Sequence, residues 1–472
     1  MNRFIKSIGG FSLGPMLGAV IAFITVPIIT YFISPEEYGK ASMFILAQST
    51  ISTVVYLGMD QAFVREFNLF KDNLHKLLIN AMLIPMCMVI VSSCLIFLFA
   101  TKVSNILFGN SNELLAVYAL ALLLPFMIIE QFALLKIRME EKGLTYSFFT
   151  ILLKVVILIL TVLLLFKYEA SFRSVVYAAA LAEIINGFIL YFFVLYGYPI
   201  KFSLFDRDLQ ITMLKFGLPL VPAFAIGWIL TSMDKVMLRT MCTYEELGLY
   251  SAAFKIVSIL SVLQTCFTLY WTPVAYRWYE ENKENRQFER VAWLVALLMT
   301  IMCMGVLIFK DVVAIILGPS FKEAISIFPF LLLYPVLYTI SETTGLGIGF
   351  KRKTTYTIVI SVISGGTNVA LNWIMIPVFG GIGAAIATGM SYVAFFWGRT
   401  LISNHLWYKM NILPFVGVTL VVVSNCIAHT FIKGYTPYII SAVSIIVICM
   451  VLVYLNRKYE VLKKLKNGEF FG

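Results

Sequence analysis

Ionisable side chains inside long apolar runs are the residues of this sequence best suited to chemistry. Lys154 lies near the middle of the apolar run 144–166, and Glu183 lies in the next run. At ~1.5 Å of rise per residue, Lys154 is about 15 Å into its helix, too deep for its ammonium group to reach the surface easily. A charge at that depth normally faces a water-filled cavity or a partner. Either Lys154 receives an anionic group in a cavity, or it forms an ion pair with Glu183.

Four further charged residues lie closer to the ends of apolar runs. Asp234 and Lys235 are in one run and Lys255 is in the next, each about 9 Å from the outer surface by helix rise. Because consecutive spans are antiparallel, Asp234 and Lys255 can pair, either as part of an outer gate or as a static clamp. Arg65 follows an earlier run on the inner side, where it either meets an anionic headgroup or anchors the chain at the surface.

The remaining chemistry-bearing residues argue against an enzyme. The sequence has only three histidines, and it shows no pattern typical of metal ligands or of a nucleophilic serine. The glycine-rich stretch 345–351 lacks the Gly-Lys pair and the preceding strand of a phosphate loop. Glu130, Glu342 and Arg399 lie near inner ends of apolar runs, where we expect their side chains to reach the surface. We therefore predict a non-enzyme without a cofactor.

Hydropathy predicts an all-α polytopic membrane protein. Of the 472 residues, 60% are hydrophobic and 13% are charged, whereas soluble domains carry roughly 25% charged residues. The apolar runs are long enough to cross ~30 Å of hydrocarbon as helices. We predict about fourteen transmembrane helices, at approximately 11–33, 41–59, 77–100, 113–135, 144–166, 174–197, 214–240, 248–272, 291–310, 324–346, 355–377, 382–404, 412–432 and 437–455.

The distribution of basic residues predicts the orientation. Lysines and arginines in the connections on the side of the N-terminus outnumber those on the other side roughly threefold. Both termini are therefore predicted to be cytoplasmic, and the first helix is read as a retained span because no small-residue cleavage site follows it. The net charge of +11 is scattered over short connections, so nucleic-acid binding is not expected.

A weak internal repeat divides the predicted spans into two sets of six. Residues 35–42, PEEYGKAS, resemble residues 244–251, YEELGLYS, at an offset of 209. Two shorter matches, at an offset of 210, pair residues 123–125 with 333–335 and 145–146 with 355–356. Six spans are an even number, so the two copies are predicted to be parallel six-helix lobes.

The repeat and the hydropathy together predict the domain organisation. Residues 1–200 form an N-terminal six-helix lobe and residues 201–408 form a C-terminal six-helix lobe. Residues 409–456 add two transmembrane helices, and residues 457–472 form a basic cytoplasmic tail.

Six short motifs, in order along the chain, carry a resemblance to a known family. They are PEEYG, LGMDQAFVREF, FGLPLVP, DKVML, EELGLYSAAFK and GIGAAIATGMSY. Over roughly residues 1–405 the chain resembles bacterial polysaccharide-biosynthesis flippases of the O-antigen and capsule type. These flippases are members of the multidrug/oligosaccharidyl-lipid/polysaccharide exporter superfamily.

The resemblance implies a function in the bacterial cytoplasmic membrane. It implies alternating access that moves an undecaprenyl-pyrophosphate-linked oligosaccharide from the inner to the outer leaflet, for surface polysaccharide biosynthesis with a polymerase and chain-length machinery as partners. Lys154, Lys235, Lys255 and Arg65 are the positions that would receive the pyrophosphate. The coupling ion stays open between a proton, sodium and none.

Two other functions compete with this prediction. A drug/cation antiporter of the same superfamily would need acidic cavity residues, whereas this sequence has Lys154 deep in its N-terminal half. A membrane polysaccharide polymerase typically needs a large outer loop, and the predicted outer loops here are short.

Overall fold

The computed structural model describes residues 2–198 and 201–459, and this part of the chain is helical throughout, with no strand. The helices that precede the middle of the chain are α1 (Asn2–Phe32), α2 (Pro35–Val55), α3 (Met59–Glu66), α4 (Leu74–Leu98), α5 (Ala100–Phe108), α6 (Leu114–Met139), α7 (Gly143–Lys167), α8 (Phe172–Leu190), α9 (Arg207–Gly217) and α10 (Val221–Met241). Those that follow are α11 (Tyr244–Glu280), α12 (Asn285–Ile308), α13 (Lys310–Leu317), α14 (Ala324–Leu331), α15 (Leu333–Thr344), α16 (Leu346–Phe350), α17 (Thr355–Leu406), α18 (Leu413–Phe431) and α19 (Thr436–Tyr459).

The all-α, multi-pass membrane fold is confirmed. Among the described residues, eleven segments are long and apolar enough to cross a bilayer, and the bent pair α2–α3 makes a twelfth. That count takes α17 once and leaves out α19, whose apolar part is Thr436–Leu452. The predicted number of about fourteen is reached when α17 counts as two spans and α19 as one.

Helix α17 is in fact a hairpin of two antiparallel helices. Gly380 interrupts it with φ 55° and ψ −129°, a conformation that suits glycine. A Cβ on Gly383 would lie 2.3 Å from the carbonyl oxygen of Met375, and one on Gly398 would lie 3.3 Å from Ile360. In both pairs the two residues lie at equal distances in sequence on either side of residue 379, next to Gly380, which is the pairing of two antiparallel helices. The predicted spans 355–377 and 382–404 are these two helices.

A half-buried carboxylate joins two helix starts in the first half of the chain. The hydroxyl of Ser34 caps α2 by accepting a hydrogen bond from the backbone N–H of Glu37 at 3.3 Å. The carboxylate of Glu37 then accepts a hydrogen bond of 2.8 Å from the backbone N–H of Phe172, the first residue of α8. We call this arrangement the glutamate clamp.

The same clamp recurs 209 residues later in the second half. Thr243 caps α11 by accepting from the N–H of Glu246 at 3.3 Å. The Glu246 carboxylate accepts a hydrogen bond of 2.7 Å from the N–H of Gly381, where the second helix of the hairpin begins. The partners are 135 residues apart in each copy. The structure thereby confirms the predicted repeat at its predicted offset.

The glutamate clamp predicts that two neighbouring variants differ in their free energy of unfolding. We expect Glu37→Ala to lower the free energy of unfolding by about 1.5–3 kcal/mol, because a charge-assisted bond to a half-buried helix terminus is lost. The neighbouring variant Glu36→Ala is the matched control. It loses only a surface ion pair with Lys40 and should change stability by less than about 1 kcal/mol. Thermal unfolding of the detergent-solubilised variants measures both, and equal melting temperatures would contradict the clamp's role.

The chain divides into two compact units, Met1–Lys235 and Val236–Gly472. The boundary between them lies within α10. The predicted lobe boundary after residue 200 falls beside residues 199 and 200, which lie outside the described residues, and the predicted lobes stay a prediction. Most of the predicted basic tail, from residue 460 onward, also lies outside the described residues.

The two additional C-terminal helices pack within the second unit. Helix α18 contacts α12 and α14, and α19 contacts α12. A buried polar chain also joins these helices, because Ser441 donates to the Asn425 side-chain oxygen at 2.8 Å and pairs with the His429 ring at 2.9 Å. Lys310, at the start of α13, donates to the His429 carbonyl oxygen at 2.6 Å. These bonds join α18 to α19 and to the start of α13.

Candidate functional site

A break between α2 and α3 shapes a polar cavity in the first unit. Leu57 and Gly58 both have positive φ, 47° and 72°, and α3 leaves the axis of α2 by 53°. The start of α3 crosses the end of α9 so closely that a Cβ on Gly58 would lie 2.4 Å from the carbonyl oxygen of Gly217. The bend thus depends on glycine at both sides of the crossing.

Hydrogen bonds to Asn80 hold α9 at this crossing. The Asn80 side chain donates to the carbonyl oxygen of Leu204 and accepts from the N–H of Asp206, each at 2.9 Å, while Gln210 donates to the Asn80 carbonyl oxygen. Lys76 pairs with the Asp206 carboxylate at 2.6 Å. The hydrogen bond from Lys76 lowers the pKa of Asp206. The stabilisation is therefore present above the ordinary pKa of an aspartate and is lost as the pH falls through the lowered one.

The cavity has a volume of about 480 Å³, within the ~300–1,000 Å³ range of small-ligand sites. Side chains of α2, α3 and α10 line it, and most of them are hydroxyl-bearing, amide or aromatic. They are Ser49, Ser52, Thr53, Tyr56, Asp60, Gln61, Ala223, Phe224, Gly227, Trp228, Thr231 and Ser232.

The cavity contains polar atoms whose hydrogen bonding is unsatisfied. Asp60 is 8% exposed, and its Oδ2 accepts from the Gln61 amide at 2.7 Å. Its Oδ1 is buried without a partner among the described residues, as is the indole N–H of Trp228. An unpaired acceptor and an unpaired donor in one cavity favour a ligand that carries both hydrogen-bonding functions. The aromatic rings provide apolar faces for the same ligand.

Two carboxylic side chains lie near each other in the first unit, Glu130 on α6 and Glu183 on α8. Gln48 on α2 donates to Glu183 Oε1 at 3.0 Å, whereas Glu130 Oε2 is buried and receives no hydrogen bond from the described residues. The expectation that Glu130 reaches the inner surface is therefore wrong, because its carboxyl group turns into the helix bundle.

Arg399 and Glu342 also differ from the sequence-based expectation. They pair with each other at 2.5 Å in the second unit, and Arg399 contacts the hydroxyl of Ser341 at 3.0 Å. Their side chains are 19% and 11% exposed. A partner within the protein, rather than the surface, satisfies both charges.

Lys154 is exposed on α7, beside α1, where a Cβ on Gly18 would lie 3.7 Å from Lys154 Cγ. Lys154 lies in the neighbourhood of Glu130. No ion pair within 4.0 Å joins Lys154 to Glu183 among the described residues, so the alternative of a direct Lys154–Glu183 clamp finds no support. Its predicted role toward an anionic substrate stays a prediction.

The other predicted site residues are dispersed. Arg65 lies in the last turn of α3, and its guanidinium is 4.6 Å from the centroid of the Phe216 ring. Asp234 is 2% exposed and Lys235 is half-buried on α10. Lys255 is exposed on α11 in the second unit. Because Asp234 and Lys255 belong to different units, their pairing stays a prediction.

The cavity residues were not predicted from the sequence, and Glu130 was expected at the surface. Tyr56 and Trp228 have no sequence signal of their own, since aromatic residues are common in membrane helices, and Asp60 lies just past the predicted span 41–59. Glu130 had the same signal as Glu183, an acid within an apolar run.

Comparisons with known proteins agree with this architecture. A family model described as "Polysaccharide biosynthesis protein" matches residues 4–276. A curated relative, the "Probable low-salt glycan biosynthesis flippase Agl15" of Haloferax volcanii, is 26% identical over 171 residues, which cover 35% of this chain and 36% of that protein. The match thus spans about a third of the relative's length.

Solved structures share the fold. A structure of the "Lipid II flippase MurJ, inward closed conformation" matches with a TM-score of 0.70 and 16% identity over 96% of this chain and 99% of that one. An inward-facing multidrug resistance MATE family transporter of the MOP superfamily matches with a TM-score of 0.61 and 14% identity, over 84% of this chain and 96% of that one. At these identities the structures establish the fold alone.

Proposed function

The chain belongs to the polysaccharide biosynthesis protein family, and from that membership we propose that it is a flippase for a lipid-linked oligosaccharide. The proposed substrate is an undecaprenyl-pyrophosphate-linked oligosaccharide, moved from the inner to the outer leaflet of a bacterial cytoplasmic membrane. Both termini are proposed to be cytoplasmic. A polymerase with its chain-length machinery would use the delivered glycan on the outer side.

The polar cavity is the observation that best supports this proposal. A glycan presents many hydroxyl groups, each a donor and an acceptor. The unpaired Asp60 Oδ1 can accept a hydrogen bond from a glycan hydroxyl, and the unpaired indole N–H of Trp228 can donate one to a glycan hydroxyl. The C–H faces of sugar rings suit the rings of Tyr56, Phe224 and Trp228, which line the same cavity.

Basic residues would receive the pyrophosphate. Lys154 is the proposed principal group, because it is an exposed cation in the middle of a membrane span. An anion that crosses the bilayer needs such a compensating charge. Lys235, Lys255 and Arg65 are proposed as secondary contacts along the path.

One observation favours a second candidate, a drug/cation antiporter. The buried Asp60 carboxylate and the aromatic walls would also suit an organic cation. The hydroxyl-rich lining favours the glycan, since a hydrophobic cation would leave most of those hydroxyls without partners.

Deletion of the gene in its host tests the two functions against each other. For a flippase we expect undecaprenyl-linked glycan to accumulate in the lipid extract, surface polysaccharide to be lost and drug susceptibility to stay unchanged. Raised drug sensitivity with unchanged lipid intermediates would instead identify the antiporter.

Complementation of the deletion host with variants tests whether the cavity binds the glycan. We expect Trp228→Ala to restore less than about a tenth of the surface polysaccharide, since a buried aromatic contact is commonly worth more than 1.4 kcal/mol. Trp373→Ala, at a side chain that is 67% exposed on α17, is the matched control and should restore it fully. Full restoration by both variants would remove the cavity from the glycan's path.

A further inference from the structure

We propose that the first unit binds an acyl chain of an anionic phospholipid in an apolar groove between α4, α6 and the end of α8. The groove has a volume of about 330 Å³, within the ~300–1,000 Å³ range of small-ligand sites. It shares no lining residue with the polar cavity among the described residues. The proposal therefore goes beyond the proposed flippase function and does not depend on it.

The lining of the groove suits a hydrocarbon chain. Leu83, Met86 and Ile129 are among the residues that line it, and in the described lining only Tyr191 and Tyr198 have a side-chain oxygen. A sugar or a charged group would lose its hydrogen bonds to water there without gaining partners in the protein. A flexible methionine adapts its shape to an apolar ligand. The groove thus favours an apolar occupant over the polar headgroup of a lipid.

The length and position of the groove match a lipid chain in one leaflet. The groove extends along α4 from Leu78 to Ile90, about 18 Å at ~1.5 Å of rise per residue. Half of the ~30 Å hydrocarbon core of a bilayer is about 15 Å. Leu78 lies one turn from Leu74, where α4 begins, and Cys87 is exposed further along. The groove therefore runs from one membrane surface, the proposed cytoplasmic one, toward the middle of the bilayer.

A π-helical turn forms one side of the groove. Helix α8 continues into this turn over Tyr191–Leu195, and Tyr191 and Leu195 both line the groove. A π turn is wider than an α-helical turn because its hydrogen bonds join residues five apart, and such turns are rare and frequently lie at functional sites. The turn is an observation independent of the volume and polarity of the groove, and it indicates a binding site at the same place.

Basic groups lie at the proposed cytoplasmic end of the groove. Tyr198 lines the groove, and the ammonium group of Lys136 is 5.1 Å from the centroid of the Tyr198 ring. Lys136 and Lys142 each lie 2.8 Å from the carboxylate of Glu140, so these three side chains keep one net positive charge. The Lys142 side chain is 60% exposed and can pair with a lipid phosphate. The charge favours an anionic headgroup over a zwitterionic one.

Helix α4 connects the groove to the polar cavity. Ile79 lines the groove, and the next residue, Asn80, holds α9 by hydrogen bonds to Leu204 and Asp206. The crossing of α9 with α3 in turn shapes the polar cavity. A lipid chain in the groove therefore packs against the segment of α4 that positions α9.

Photo-cross-linking of the purified full-length protein in liposomes tests the groove. The probe is phosphatidylglycerol with a diazirine in the middle of one acyl chain, and mass spectrometry maps the cross-linked residues. We expect cross-links to concentrate on residues 78–90 and on the end of α8. Met86→Trp fills the groove and should reduce them at least about fivefold. Cys94→Trp is the matched control, since Cys94 is exposed on the same helix outside the groove. Cross-links spread evenly over all exposed spans would overturn the proposal.

Competition with unlabelled lipids on the wild-type protein identifies the occupant. Phosphatidylglycerol should displace the probe at about a fifth of the concentration that phosphatidylethanolamine with the same chains requires, since one lysine beside an anionic headgroup gives roughly that factor. Equal displacement by the two lipids would overturn the proposal and leave an ordinary lipid contact. Displacement by undecaprenyl phosphate at a lower concentration than by phosphatidylglycerol would also overturn it, in favour of the chain of the transported lipid.

Lys142→Gln tests the headgroup contact. We expect this variant to bind the two phospholipids equally well, because the one net positive charge is removed. Lys351→Gln removes an exposed lysine from the second unit and should keep the preference for phosphatidylglycerol. An unchanged preference in Lys142→Gln would overturn the headgroup assignment. None of these measurements requires transport, so the proposed function can fail while lipid binding in the groove stands.

Discussion

Lys154→Met should reduce flipping of the lipid-linked glycan at least about 100-fold while leaving the protein inserted in the membrane. Methionine keeps most of the apolar length of the side chain and removes only the charge. The ammonium group is proposed to compensate the pyrophosphate. Loss of a compensating cation in a membrane interior costs several kcal/mol, and each 1.4 kcal/mol is about tenfold in rate.

Two further variants make the Lys154 result specific. Lys154→Arg retains the charge and should recover much of the activity. Lys167→Met removes an exposed lysine from the last turn of the same helix and should leave flipping unchanged. The rate is measured in proteoliposomes, with membrane insertion verified by protease protection. Normal flipping by Lys154→Met would exclude Lys154 from the mechanism.

Gly58→Ala should destabilise the protein by about 3 kcal/mol or more. A non-glycine residue at φ 72° is strained by about 1–2 kcal/mol. In addition, the new Cβ would lie 2.4–2.7 Å from three backbone atoms of Gly217, so relief requires the helices to move apart, which typically costs about 1–3 kcal/mol. The same movement would displace Asp60 from the cavity.

Gly305→Ala is the control for the Gly58 variant. A Cβ at Gly305 would meet no atom within 4 Å, and alanine is the better helix former. Thermal unfolding in detergent, followed by tryptophan fluorescence, should show a lower transition temperature for Gly58→Ala alone. A transition at the wild-type temperature would show that the crossing of α3 and α9 can relax without loss.

The membrane spans were predictable from the sequence because backbone N–H and C=O groups inside the bilayer must form hydrogen bonds within the protein, which few structures allow. A run of about twenty apolar residues must be a helix, and the predicted spans 355–377 and 382–404 are the two halves of α17 on either side of Gly380. The repeat was predictable because its residues are retained at one offset. These signals are local in sequence.

The candidate site was predictable only in part, because it depends on the rotation of each helix. Lys154 and Glu183 were visible as charges in apolar runs, but the proximity of Glu183 to Glu130 depends on the relative rotation of α6 and α8. The cavity depends on the bend at Leu57, a residue type that rarely has positive φ. No periodicity in the sequence reports that bend.

The glutamate clamp also has a historical meaning. Glu37 and Glu246 each donate their backbone N–H to a capping hydroxyl three residues earlier. Each carboxylate also accepts a hydrogen bond from a backbone N–H 135 residues further along the chain. Such agreement points to inheritance from an ancestor half as long, whose gene was duplicated and fused. The predicted six spans per copy would return the chain to the side where it began, so that a fusion would need only a short linker. The two glutamates are thus descendants of one ancestral residue, and natural variation at one is evidence about what the other tolerates.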